Sequence, residues 1–121
     1  MFTIFKDYVF SAGHAIRGHR GACQHLHGHN YRVRVHVAAR ELDELGMVID
    51  FADLKAIVEQ VAGRFDHAVL NEVPPFDVRN TTAELVAEYV AEETGRRLPP
   101  GRVVRRVEVW ETESSCAIFE P

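Results

Sequence analysis

The patterning of this chain predicts an α+β domain in which an antiparallel sheet carries two helices on one face. Three observations point there: a clean two-residue alternation over residues 31–37, two apolar stretches at helical spacing between residues 50 and 95, and a closing pair of β-rich segments after Pro99-Pro100-Gly101. In chain order these read strand, strand, helix, helix, strand, strand. That succession suits a four-stranded antiparallel sheet with both helices in a second layer.

The first strand is expected over Phe2 to Ala12, which is rich in aromatic and β-branched residues, although Lys6 and Asp7 blur its alternation. In Tyr31-Arg32-Val33-Arg34-Val35-His36-Val37 the odd positions are apolar and the even ones polar, so one face packs on a core and the other meets water. Asp50 can cap the first helix. Phe51, Leu54, Ile57, Val58 and Val61 give its buried stripe and Gly63 its end. The second helix is expected to open with a capping box between Thr81 and Glu84, to bury Leu85, Val86, Tyr89 and Val90, and to end at Gly95. Val103 to Thr112 and Ser115 to Phe119 then read as a hairpin.

A chain of 121 residues with 46% hydrophobic content can bury one core, so residues 1–121 are expected to form one domain. Fourteen Lys and Arg against eighteen Asp and Glu leave a net charge of -4. That balance offers no footprint for nucleic acid or an anionic membrane, and a small soluble ligand is the better partner class. No stretch is apolar for the roughly 18 residues of a membrane span, and charged residues stand where a signal peptide needs an apolar run. The cytoplasm is the expected compartment. Cys23 and Cys116 are too few for a disulfide framework and read as free thiols.

Parity singles out a candidate metal site. Extending the second strand's alternation backwards puts His27 and His29 on the apolar side with Tyr31, Val33, Val35 and Val37, and His14 closes the opening apolar segment. Three neutral imidazoles suit a divalent transition metal and leave a coordination position free. The trio His25, His27 and His29 shares the same parity, so spacing alone leaves both sets open. His19 and His36 read as solvent-facing. Glu111 shares parity with Val107 and Val109 and so points inward, where a carboxylate needs a positive or donor-rich partner; Trp110 takes the other face. Cys23 lies in a polar loop with His19, Arg20 and His25, where cationic neighbours or a metal can make it a base or nucleophile. Cys116, in an apolar run, reads as structural. Asp66 and His67 can act together only on a turn or helix end.

Laid out together, these residues resemble the 6-pyruvoyl-tetrahydropterin synthase and 6-carboxytetrahydropterin synthase family. The resemblance rests on Phe10-Ser11-Ala12-Gly13-His14, on Cys23 with His27-Gly28-His29-Asn30-Tyr31, on Gly46-Met47-Val48-Ile49-Asp50-Phe51 with Leu54-Lys55, on Phe65-Asp66-His67 with Leu70-Asn71, on Thr82-Ala83-Glu84 and on Trp110-Glu111-Thr112. It implies a T-fold whose subunits form trimers with a continuous barrel, two trimers stacking into a hexamer with active sites between subunits. It also implies zinc held by His14, His27 and His29, Cys23 as the base, the Asp66-His67 pair as its proton partner, Glu111 as the anchor of a pterin ring, and Thr82 touching that ring.

The implied substrate is 7,8-dihydroneopterin triphosphate. A short chain without a long N-terminal extension is more similar to the bacterial 6-carboxytetrahydropterin synthases of queuosine and deazapurine biosynthesis than to the pyruvoyl branch. Thr81 departs from the Pro that many carboxy-type members have there, and 6-pyruvoyl-tetrahydropterin synthase is the alternative. A non-catalytic zinc-binding scaffold is the alternative from another class; the joint presence of Cys23, Asp66, His67 and Glu111 speaks against it. Arg17, Arg20 and Arg32 are the candidates for the phosphates.

Overall fold

The computed structural model describes residues 1–121. Strand β1 (Phe2–His14) runs into a loop with one 3-10 turn and returns as β2 (His27–Ala39). Helix α1 (Phe51–Ala62), the two-residue strand β3 (Ala68–Val69), helix α2 (Ala83–Arg97), β4 (Val103–Thr112) and β5 (Ser115–Phe119) follow. The sheet order is β3-β1-β2-β4-β5, antiparallel except where β3 lies parallel to β1. The expected four strands are therefore five. Ala68 and Val69 gain strand geometry from pairing with Ala12 and Gly13 rather than from any pattern of their own.

The core lies between one face of the sheet and the two helices. Val33, Val35 and Val37 are fully buried, as the alternation requires, and meet Leu54, Val58 and Val61 of α1 and Val86 and Val90 of α2 in one apolar cluster. Each such side chain contributes about 1.5–3 kcal/mol through burial. Phe10 stacks on Tyr31 with ring centroids 5.0 Å apart and planes inclined by 13°, and Phe65 meets both Phe76 and Tyr89 edge-on. Phe51, expected in the buried stripe of α1, stands exposed at the helix's first residue, while Leu54, Val58, Val61 and Ala62 supply its buried side.

Caps fix the helix ends, and here the structure departs from the expected pattern. The Asp50 carboxylate accepts the Ala52 amide at 2.7 Å, as expected for α1. On α2 the cap is Thr82, whose hydroxyl accepts the Leu85 amide, not Thr81 in a box with Glu84. Thr81 is buried and donates its hydroxyl to the Ala15 carbonyl instead. Gly95 does not end α2, which continues to Arg97; Arg96 and Arg97 in its last turn suit the helix's negative end.

Candidate metal and substrate site

Register assembles the histidines. The antiparallel ladder sets His14 of β1 directly against His27 of β2 and Ala12 against His29, so His14 and His27 share one rung and His29 stands two residues further along the same face of β2. Their rings pack edge to face with centroids 4.6, 5.1 and 4.8 Å apart. One ligand atom from each lies within 4.8 Å of the others, close enough to bind one metal ion. His25 lies outside this cluster, exposed in the loop.

Backbone carbonyls set which nitrogen two of the rings present. His14 donates Nδ1–H to the Thr81 carbonyl at 2.8 Å, and His27 donates Nδ1–H to the His25 carbonyl at 2.7 Å. A carbonyl only accepts, so the proton stays on Nδ1 and Nε2 keeps its lone pair. The Nε2 atoms of His14 and His29 are both sequestered from solvent and lack any hydrogen-bond partner. Burial pushes the His14 and His29 imidazoles below the usual histidine range, which keeps them neutral. Three convergent imidazoles, two of them with orphaned Nε2 atoms, fit a transition-metal cation.

Glu111 stands beside the triad. Its carboxylate oxygens lie 4.0 Å from His14 Nε2 and 3.7 Å from His29 Nε2, and its side chain keeps 23% exposure. It therefore faces both the metal position and an open cavity of about 520 Å³ shared with Ile16, His19, Thr82 and Ala117. The Thr82 hydroxyl that caps α2 also lines this space, so its own proton is free to point into it. Tyr31, beneath His14 and His29, is fully buried, and burial pushes its hydroxyl upward, so it stays protonated.

Cys23 and the Asp66-His67 pair lie outside the cluster of three imidazoles. Cys23 is half-buried in the 3-10 turn Ala22–Gln24, and its carbonyl accepts the Ile16 amide at 2.8 Å, which ties the turn to the segment after His14. Asp66 follows the turn that ends α1. Its carboxylate accepts the Ser11 amide at 2.9 Å and meets His67 Nδ1 at 3.1 Å. The Ser11 amide, helped by His67, holds the Asp66 carboxyl below the usual carboxylate range. His67 adopts a left-handed backbone at φ 58°, uncommon for a side-chain-bearing residue, and its amide donates to the Ser11 carbonyl. Its imidazole is 83% exposed and borders a cavity with Ser11, Asn30 and His29.

Several residues differ from their sequence reading. His36 is not freely solvated: it is half-buried and bonds Glu108 at 2.6 Å across β2 and β4. Cys116 is exposed on the uncovered sheet face, and burial of its sulfur with the nearby Glu108 charge raises its thiol. Arg17 is committed to the Phe76, Asp77 and Arg79 carbonyls. Sequence reasoning gave Thr81 a different role and gave none to the two asparagines that hold the segment after His14. Asn71 exchanges two hydrogen bonds with Ala15, and Asn80 exchanges two with Arg17.

A two-layer sheet-and-helix domain with this triad at one end of its sheet is a T-fold of the pterin-synthase class, and comparison with known proteins agrees. The family model described as 6-pyruvoyl tetrahydropterin synthase matches residues 3–121, and the chain belongs to that family of enzymes acting on pterins. It is similar to a putative 6-carboxy-5,6,7,8-tetrahydropterin synthase of Archaeoglobus fulgidus, 41% identical over 108 residues and covering 89% of this chain and 86% of the relative. It is also similar to the 6-carboxy-5,6,7,8-tetrahydropterin synthase of Synechocystis, 37% identical over 124 residues and covering 98% and 93% of the two chains. Among solved structures, the 6-pyruvoyl tetrahydropterin synthase of Caenorhabditis elegans superimposes with a TM-score of 0.88 at 29% identity, over 99% of this chain and 95% of that one.

Proposed function

We propose that the chain is a zinc-dependent 6-carboxy-5,6,7,8-tetrahydropterin synthase that converts 7,8-dihydroneopterin triphosphate to 6-carboxytetrahydropterin, acetaldehyde and triphosphate in the cytoplasm, on the route to queuosine and related deazapurines. The observation that carries this reading is the convergence of the orphaned Nε2 atoms of His14 and His29 with His27 beside the half-open Glu111 carboxylate. The names of the relatives at 41% and 37% identity favour the carboxy product over the pyruvoyl one.

In this reading His14, His27 and His29 hold the zinc, which supplies Lewis acidity toward the substrate's side-chain hydroxyls. Cys23, as thiolate, removes a C–H proton from that side chain. His67 relays protons and Asp66 orients its ring through the 3.1 Å contact. Glu111 accepts two N–H donors from the guanidine-like edge of the pterin, which fixes the ring's orientation, and Thr82 contacts the ring from the start of α2.

The active unit is an oligomer, a dimer of trimers, in which the Asp66-His67 pair of one subunit serves the metal and Cys23 of the next. The exposure of His67, and of the apolar side chains Phe5, Val9 and Ile118 on the sheet face that no helix covers, supports such an assembly. Incubating the zinc-loaded protein with 7,8-dihydroneopterin triphosphate tests the whole reading, with acetaldehyde assayed and the pterin identified by mass. Acetaldehyde with the carboxy product is expected. A 6-pyruvoyl product would move the chain to the other branch, and the absence of any turnover would make it a scaffold.

A further inference from the structure

His19 has no part in the scheme above, yet it shares the cavity of about 520 Å³ with Glu111 and Thr82. It is exposed, and two features of its loop hold its ring in one orientation. The His19 amide donates to the Ile16 carbonyl at 3.3 Å and closes a turn in which Gly18, at φ 80°, takes the left-handed conformation that a side chain resists. The Gly21 amide then donates to His19 Nδ1 at 2.9 Å. Gly21 also leaves room for the ring to lie against it: a Cβ there would stand 3.0 Å from Cε1 and 3.4 Å from Nδ1 of the imidazole.

That hydrogen bond decides what His19 offers the cavity. An amide N–H only donates, so Nδ1 is the acceptor and the neutral ring carries its proton on Nε2. Nε2–H is therefore a pure donor. The hydroxyls of Thr82 and Ser115, which also line the cavity, can turn to donate or to accept, so they cannot tell a carbonyl from an amino group. The Glu111 carboxylate meets His14 and His29 rather than His19, so acceptor and donor stand apart with space between them. Ile16, Ala83 and Ala117 give that space apolar walls that suit a flat ring.

We propose that His19 is a specificity-determining residue that donates Nε2–H to the 4-carbonyl of the bound ring; this rests on the pterin reading above. Along the edge of a pterin the amino group and N3–H are two donors, and the 4-carbonyl beside them is an acceptor. Glu111 accepts the first two, and His19 completes the pattern with the one donor it requires. A ring with a poor acceptor at that position covers Nε2–H without pairing it, and a polar group left unpaired on binding is what rejects a near-isostere.

Calorimetric titration of the zinc-loaded full chain with pterin and with 4-thiopterin tests the assignment, because the thio analogue keeps both donors and exchanges the carbonyl oxygen for a weakly accepting sulfur. The wild type is expected to prefer pterin about tenfold. His19→Ala should weaken pterin by about that factor, leave 4-thiopterin nearly unchanged and so erase the preference, while zinc stays bound. His19→Gln retains a donor and should restore part of it. Gly21→Ala keeps the imidazole but displaces it, and should behave as His19→Ala does. Equal wild-type affinity for both ligands, a preference that survives His19→Ala, or equal loss of both ligands in that variant overturns the proposal. A wild-type chain that binds zinc and neither ligand sinks the pterin reading, and this assignment with it.

Discussion

The His14 side chain is fastened to the Thr81 carbonyl across 67 positions of chain, through a 2.8 Å hydrogen bond that also leaves its Nε2 to face the neighbouring imidazoles. Thr81 is itself held from both sides: its amide bonds the Asn80 carboxamide, and its hydroxyl bonds the Ala15 carbonyl. The strand that ends in His14 and the segment that leads into α2 are thus one clamp around one imidazole.

Loosening that clamp should loosen the metal. Asn80→Ala removes the acceptor for the Arg17 and Thr81 amides and the donor to the Arg17 carbonyl. Groups that orient a ligand typically matter by about 10- to 100-fold in affinity. Competition with a chromophoric chelator should show zinc binding about tenfold weaker in this variant with its thermal midpoint little changed. Unaltered zinc affinity would mean that strand pairing alone orients His14.

The metal-free chain should lose stability as pH falls through the ordinary histidine value of 6.5. Burial places the folded His14 and His29 below that value, so in the window beneath it the unfolded chain binds more protons than the folded one. Stability therefore rises with pH there and declines toward acid, until the folded imidazoles also protonate. Urea unfolding of apo protein at pH 7.5 and 5.5 measures the decline, and His14→Phe should shrink it.

Cys23→Ala should abolish turnover and leave zinc bound. The thiol lies outside the cluster of atoms close enough to share an ion, in a turn anchored through its backbone to Ile16. Metal content by mass spectrometry, read beside activity, separates base from ligand: loss of zinc in this variant would make the sulfur a fourth ligand.

Glu111→Gln should weaken dihydroneopterin binding by about 10- to 100-fold, the worth of a charge-assisted contact of about 1.5–3 kcal/mol. Because the carboxylate also favours protonation of His14 and His29, its removal should lower their titration midpoints further, which histidine NMR of the apo protein would detect. Pterin affinity equal to that of the wild type would remove Glu111 from the anchor role.

What could be read from residue order is what depends on local periodicity. The alternation of Tyr31–Val37 extends back without a break to His27, so the inward placement of His27, His29 and Tyr31 follows from a period of two. The same reasoning brought Glu111 to the inner side, where it stands beside His14 and His29. What escaped depends on partners distant in sequence. Thr81 and Thr82 are equally good caps on paper; the Ala15 carbonyl claims one hydroxyl and leaves the other to α2. Strand β3 exists because β1 passes beside it, and His36 is withdrawn from water by Glu108, 72 residues later.

The triad occupies the last rungs of a long ladder whose other end runs to Phe2 and Ala39, and the valines packed under the helices owe nothing to an ion. Architecture comes first and coordination second. An ion bound there would fill a finished receptacle, and its exchange would require release from three imidazoles without dismantling the chain.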